Sequence, residues 1–302
     1  MRYSYPVMIL LLVAPVRADE GASFLKIGVG ARATGTGAAQ TALVDDAAAI
    51  YWNPAGLASV GRTEMAAHHA DLFADTRYDF AAFARPTPFG TVGAGFGFLS
   101  QGALEGRDEN RQATGSFSAS DSVFGLALAR KVSSTVRLGL GLKGIQSRIA
   151  GDSAATAAVD AGVIWKSETS PATLGGAVTN LGPGLRFIGE RSELPLTLAL
   201  GAGFNVLPGL ALAADARFRP YSHTQEYGFG TEYSLMGALT LRGGWLGSRT
   251  QGGSSPKDRA YLPQGFAAGI GLRVYSFNLD YSFQPYGELG NAHRISIAAR
   301  FH

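Results

Sequence analysis

Tyr275-Ser276-Phe277-Asn278-Leu279-Asp280-Tyr281-Ser282-Phe283-Gln284 alternates without a break: Tyr275, Phe277, Leu279, Tyr281 and Phe283 fall on one face, five polar side chains on the other. Successive side chains of a strand point to opposite faces, so this stretch reads as a strand with one apolar wall. A helical period of 3.6 does not fit it. Three more segments repeat the pattern. In 194–206, Leu194, Leu196, Leu198, Leu200, Ala202, Phe204 and Val206 share a face; in 136–143, Val136, Leu138, Leu140 and Leu142 oppose Arg137, Gly139, Gly141 and Lys143. In 266–274, Phe266, Ala268, Ile270, Leu272 and Val274 oppose small residues and Arg273.

Weaker alternation at 62–70, 77–85, 91–99, 120–130, 155–166, 172–181, 209–219, 225–234, 237–246 and 292–301 brings the total to about 14 strands, an even number as closed bacterial barrels require. The stretch 62–70 is the weakest. Counting from it, connections after odd strands are mostly long and polar (100–117, 181–192, 247–263, 285–291). Those after even strands are short, such as 131–134, 206–208, 234–236 and a tight turn near Val274. Long loops at one end and short turns at the other are the pattern of an outer-membrane barrel. Tyr78, Trp165, Tyr227, Tyr233, Trp245, Tyr275 and Tyr281 are expected on the apolar faces, several near strand ends where aromatic girdles form.

Composition agrees. Of 302 residues only 16% are charged, against roughly 25% in soluble domains. Cysteine is absent, which excludes disulfides and thiolate chemistry. The net charge of +3 comes from scattered Lys and Arg, with no basic helix or block, so nucleic acid is not an expected partner. Residues 1–18 read as a signal peptide: Arg2, the apolar run Val7–Ala14, and small residues at Val16 and Ala18 before Asp19. Beyond Asp19 no apolar run reaches the ~18 residues of a membrane helix, leaving a closed barrel as the way an exported chain of this kind spans a bilayer. The expected fold is thus an all-β transmembrane antiparallel barrel over 62–302 in a bacterial outer membrane, with outer-membrane lipid as its surroundings.

The inward faces carry small residues and isolated charges: Arg137, Lys143, Asp160, Asp215, Arg217, Glu232, Arg242, Arg273, Asp280 and Arg294. A lumen of this width is not closed by its own side chains, and buried charges need partners. The segment 19–61, which does not alternate, is expected to fill it as a plug containing short helices. Gly28, Gly30, Gly35 and Gly37 make 26–38 flexible in this reading. Asp45 and Asp46 are placed to cap a helix over 47–52, or to pair with a lumen arginine. Asn53-Pro54 ends that helix, and Pro54 opens another turn through Gly56, Leu57 and Ala58.

The string Gly30-Ala31-Arg32-Ala33 followed by Asp45-Asp46-Ala47-Ala48-Ala49-Ile50-Tyr51-Trp52-Asn53-Pro54-Ala55-Gly56-Leu57 resembles the N-terminal signature of PorV/PorQ-type outer-membrane proteins, within the wider FadL-like barrel superfamily. Asn180-Leu181-Gly182, Leu194-Pro195 and His293-Arg294-Ile295-Ser296 are similar to that pattern too. The resemblance implies a 14-stranded barrel with a plug built on Asp45, Asp46, Tyr51, Trp52, Asn53, Pro54, Gly56 and Leu57. It implies an adaptor or shuttle for secreted cargo proteins in a type IX-like secretion route. The alternative is a FadL-like channel for hydrophobic small molecules. Polar loops at 100–117 and 247–263 tilt the expectation toward a protein partner.

No cofactor, metal or catalytic residue is expected. The Gly-rich 28–37 stretch lacks the Gly-Lys-Ser/Thr ending of a phosphate loop. His68 and His69 point to opposite faces, and Asp45-Asp46 lacks a calcium-loop series. His293, near Arg294, Ser296 and Asp280, is the best seat for a hydrolytic site, but no motif links these residues.

Overall fold

The computed structural model describes residues 20–301 apart from 74, 103, 108–111, 188, 251–260 and 287–289. The signal-peptide reading of 1–18 and most of the polar tips of the loops lie outside these residues. In chain order the strands are β1 (Thr63–Asp71), β2 (Thr76–Thr87), β3 (Gly90–Gln101), β4 (Leu104–Arg107), β5 (Ala113–Phe117), β6 (Ala119–Lys131), β7 (Val136–Ile149), β8 (Asp152–Lys166) and β9 (Ala172–Leu181). They continue with β10 (Leu185–Phe187), β11 (Glu190–Ser192), β12 (Thr197–Leu207), β13 (Leu210–Arg219), β14 (Thr224–Leu235), β15 (Leu239–Thr250), β16 (Tyr261–Val274), β17 (Phe277–Pro285) and β18 (Asn291–Phe301).

Fourteen of these close into one antiparallel barrel, in the order β1-β18-β17-β16-β15-β14-β13-β12-β9-β8-β7-β6-β3-β2. The seam pairs Thr63 with Phe301 through to Asp71 with His293. Closure leaves no edge strand with unpaired backbone groups. The two remaining pairs, β4–β5 and β10–β11, are small hairpins inside the loops read as 100–117 and 181–192. No helix among the described residues is long and apolar enough to cross a membrane, which says nothing about strands.

Alternation translates directly into exposure. In β7, Leu138, Leu140 and Leu142 face outward and are 46, 64 and 65% exposed, while Gly139 and Gly141 between them are buried. The outward surface of large exposed aliphatics and aromatics continues around the wall through Phe96, Leu126, Leu200, Phe229, Phe266 and Ile295. The inward surface is the buried one, the reverse of an isolated soluble sheet.

Several expectations change in detail. Leu194 is not on an outward face: it is fully buried ahead of β12, because Pro195 withholds the amide a ladder needs. Tyr275 and Ser276 form the two-residue turn between Val274 and Phe277, so the strand begins two residues later than the alternation suggested. Tyr78 points inward, buried with Phe80 on the same face of β2. The connections at the long-loop end also include short ones, such as Ala150-Gly151 between β7 and β8.

The N-terminal segment lies inside the barrel. It starts at the long-loop end, where Gly21 N donates to Glu193 O (2.8 Å), and leaves at the other end through Val60 into β1. Along the way it forms a 3-10 turn (Ser23–Lys26), α1 (Ala31–Gly35), α2 (Ala49–Trp52) and a second 3-10 stretch (Pro54–Ser59). The stretch expected to be flexible thus contains a helical turn. Gly30 (φ 88°) and Gly37 (φ 61°) bracket α1, supplying positive φ where the chain enters and leaves it.

Candidate functional site

The segment is seated by backbone contact along one side of the lumen. Asn53 is fully buried in an extended conformation (φ −159°), and its side chain both caps and anchors. Its Oδ1 accepts from Ala55 N (3.1 Å), fixing the 3-10 turn that Pro54 opens. Its Nδ2 donates to Thr41 O (2.7 Å) and reaches the wall carbonyls of Val163 (3.3 Å) and Gly176 (3.4 Å). This approach requires glycine in the wall. A Cβ on Gly162 would overlap Asn53 Oδ1, and one on Gly139 would overlap the Pro54–Ala55 backbone. Leu57, fully buried, packs where a Cβ on Gly93 would sit 2.8 Å from its methyl carbon.

The other side of the lumen adds charge and hydrogen bonding to close contact of Thr36 and Gly37 with Gly228, Gly230 and Gly244. Asp215 Oδ2 accepts from Gln40 N (2.9 Å), Thr41 N (2.9 Å) and Thr41 Oγ1 (2.7 Å), and Arg217 donates to Ala38 O (2.6 Å). Ser296 Oγ accepts from Ala31 N (2.8 Å), and Thr34 shares a hydrogen bond with Ser282 (2.8 Å). Glu64 accepts from Ala47 N (2.9 Å) and pairs with Arg300 (2.6 Å). Arg32 bonds Glu232 (2.9 Å), Asp45 (2.5 Å) and, more loosely, Asp46 (3.4 Å). The arginine that meets Asp45 and Asp46 therefore belongs to the segment, not to the wall. Asp46 also accepts from Ala48 N (3.0 Å), at the entrance to α2.

The field in this cluster is uneven. Asp45, then Glu232, hold Arg32 well above the ordinary arginine value. Burial pushes the Asp46 carboxyl up to about 6, only partly opposed by Arg32. Burial also raises the Tyr51 phenol, whose hydroxyl donates to Leu25 O (2.9 Å).

Of the ten wall charges singled out from the sequence, Asp215, Arg217 and Glu232 touch the segment, and Arg242 and Asp280 brace Glu232 (Arg242–Glu232 and Arg242–Asp280, both 2.7 Å). Lys143 pairs with buried Asp160 (2.6 Å), and Asn180 bridges both. Arg137 lines a cavity at the short-turn end, and Arg273 bonds Asn278 there (3.1 Å). Arg294 bonds Gln284 and Tyr286 (both 3.2 Å). Glu64 and Ser282 were not singled out, and Arg32 and Ser296 only within a signature string and the suggested hydrolytic grouping, not as contacts between segment and wall. The inward phase of β1 marks Glu64 as a lumen carboxylate, but that strand had the weakest pattern.

His68 faces inward against Ser296 (2.8 Å), while His69 faces outward against Asp79 (2.7 Å). His293 bonds Tyr281 on the outer wall (2.8 Å), across the sheet from Arg294 and Ser296, so the suggested hydrolytic grouping does not assemble. Among the described residues no three His, Asp or Glu side chains are grouped to hold a metal ion.

Cavities flank the segment. The one at the long-loop end encloses about 530 Å³. Phe24, Leu25, Trp52, Leu72, Phe73 and Leu99 give it an apolar side. Arg217, Arg219, Ser222, Glu226 and Arg294 give it a basic one. Glu226 is shared by Arg219 (2.7 Å) and Arg217 (3.3 Å), whereas buried Arg294 meets no carboxylate among the described residues. The Nε atoms of Arg219 and Arg294 and Ser222 Oγ have no partner there either. At the short-turn end, cavities of about 240 and 390 Å³ are lined by Arg32, Asp45 and Glu232. Trp52 borders both the larger upper cavity and the 240 Å³ one, held by Nε1 donating to Val29 O (3.0 Å) with the Arg217 guanidinium 5.4 Å over its ring.

Comparison with known proteins adds the following. The model of an uncharacterised protein family (UPF0164) matches residues 16–159. No curated protein matches the sequence. Among solved structures, a monoaromatic hydrocarbon channel, CymD, superposes with a TM-score of 0.66 at 12% identity, over 91% of this chain and 98% of that one. A Pseudomonas aeruginosa FadL homologue gives 0.66 at 13% identity (91 and 99%), and a deletion mutant of the monoaromatic hydrocarbon channel TodX gives 0.70 at 14% (90 and 99%). The fold is that of the FadL-like barrels. None of these three is a PorV- or PorQ-type protein, and the expected secretion adaptor finds no support among them.

Proposed function

We propose that the chain is an outer-membrane channel for a hydrophobic small molecule bearing an anionic or strongly polar end, with residues 19–61 acting as its plug. The observation that carries this reading is the cavity at the long-loop mouth, half apolar and half basic, with Arg294 in its wall meeting no carboxylate among the described residues. A buried guanidinium lacking a carboxylate is costly, and a ligand carboxylate supplies the missing charge while its body lies on Phe24, Leu72 and Phe73. Pockets that bind small molecules combine an apolar lining with a few convergent polar groups in this way. The exposed apolar outer wall supports a bilayer location, because a water-facing surface of that extent is unfavourable. The structural neighbours named as hydrocarbon channels support transport over catalysis, and the segment between the cavities supports a closed resting state.

The cavity contains Trp52, so its fluorescence reports occupancy. Titration of the purified chain with decanoate and with decanol should show tighter binding of decanoate. Arg294→Gln should weaken decanoate about tenfold or more, as for loss of a charged hydrogen bond, and leave decanol nearly unchanged. Absence of a saturable response to either probe would sink the channel reading. Equal loss of both would sink the anionic end.

A further inference from the structure

The short-turn rim divides into two sectors. Around β12 to β17 the described outward positions near the turns carry no Lys, Arg, Asp or Glu, and Leu207, Met236 and Tyr275 stand fully or largely exposed at the tips. From β1 to β7 the same rim exposes Arg62, Arg85, Arg130 and Lys131, none in an ion pair among the described residues. An exposed carboxylate, Glu168, stands in the following short turn, between β8 and β9.

Three of these cations are gathered by register. Arg85 pairs with Val92, and Thr91 with Ala129, so Arg130 and Lys131 run alongside the Pro88-Phe89 turn. Arg85 and Arg130 both face outward, and Phe89 between them is 79% exposed. Directly below, Val92, Leu126, Leu128 and Phe124 form an exposed apolar strip on the same wall. The opposite end of the barrel shows what an internally satisfied charge group looks like: Arg77 lies against Asp71 (3.6 Å) and His69 against Asp79 (2.7 Å).

We infer that the Arg85–Phe89–Arg130–Lys131 corner is a binding site for an anionic phospholipid of the leaflet at the short-turn end. Arg85 and Arg130 take the headgroup phosphate with Lys131 adding positive charge at the rim, Phe89 sits at the interface, and an acyl chain lies along Val92, Leu126 and Leu128. Two features favour lipid over an acidic protein. Arg85 and Arg130 end an apolar strip of the outer wall and point along the surface a bilayer would cover, while Lys131, paired across from Arg137, adds charge at the rim itself. The inference rests on the outer-membrane reading above.

The test is native mass spectrometry of the folded full-length chain released from detergent containing equal amounts of phosphatidylglycerol and phosphatidylethanolamine. The wild type should retain phosphatidylglycerol preferentially. Each cation near an anionic headgroup is worth about fivefold, so the combined change Arg85→Gln, Arg130→Gln, Lys131→Gln should abolish the preference. Arg77→Gln, at the far end, should leave it intact. Equal retention of the two lipids by the wild type overturns the site, as does a preference that survives the triple change. An acidic protein that co-purifies with the wild type and is lost from the triple variant, with lipid selectivity unaltered, also overturns it. Failure of the membrane reading is distinguishable, since that chain would not enter phospholipid vesicles at all.

Discussion

The two sides of the segment inside the barrel are held by opposite physics. Asn53 to Leu57 lies against bare wall backbone at Gly139, Gly162 and Gly93, with no room for one added carbon. Thr36, Gly37 and Thr41 also lie against wall glycines (Gly228, Gly230, Gly244 and Gly175). Arg32, Asp45 and Asp46, at the two ends of that stretch, are held instead by carboxylates and guanidinium groups that border the cavities of the short-turn end. Close packing resists displacement steeply, because interiors are bistable rather than continuously deformable. Ion pairs beside a hydrated cavity exchange partners at low cost. If the segment yields to a passing ligand, the Arg32 side is the one that gives, with the Asn53 wedge as the fixed point.

The largest expected effect breaks both sides together. Replacing 45–57 with a Gly/Ser linker should raise single-channel conductance in planar bilayers several-fold, and unchanged conductance would place the segment outside the conducting path. Next come paired substitutions that separate the two sides. Gly162→Ala should destabilise the folded barrel by at least about 3 kcal/mol in detergent melts, combining overpacking with the lost Asn53 hydrogen bonds. Arg32→Gln should cost less, about 1–2 kcal/mol, because Arg242 still pairs Glu232. The reverse order of costs would overturn the distinction.

The smallest effect is a pH dependence confined to the Arg32 side. The Asp46 pKa of about 6 in the folded state exceeds the unfolded value near ~3.9, so the folded chain binds more protons between these limits. Stability attributable to Asp46 is therefore fully present below about pH 4 and is lost as pH rises through about 6. Asp46→Asn keeps an acceptor for Ala48 N, and should stabilise the protein at pH 7 by about 1–2 kcal/mol while flattening the pH 4–6 slope. A slope that persists in the variant would assign it to another group.

Sequence periodicity carried much of the architecture, for a simple reason. A wall with hydrocarbon-compatible residues on one face and small or polar residues on the other must alternate at period two, as 136–143 does. Period two gives partners on a face but not which face is inside. Tyr78 shows the limit: β2 turns it inward because the lumen beside it is packed like a core, with Phe80 near Tyr51 (6.3 Å) and Ile50 against Gly95. Likewise Leu194 follows the alternation by residue type, yet Pro195 keeps it out of the ladder.

By itself the sequence determined that this chain is a closed antiparallel barrel of about fourteen strands with an irregular N-terminal segment, because side-chain alternation, turn chemistry and Asn53-Pro54 act locally. Only the tertiary structure decided what that segment rests on and what the mouth holds. Asn53 meets Gly162 across more than one hundred residues, and Phe24, Arg219 and Arg294 reach one cavity from three distant parts of the chain. Such meetings depend on strand register and barrel closure, which set distances that no local pattern records.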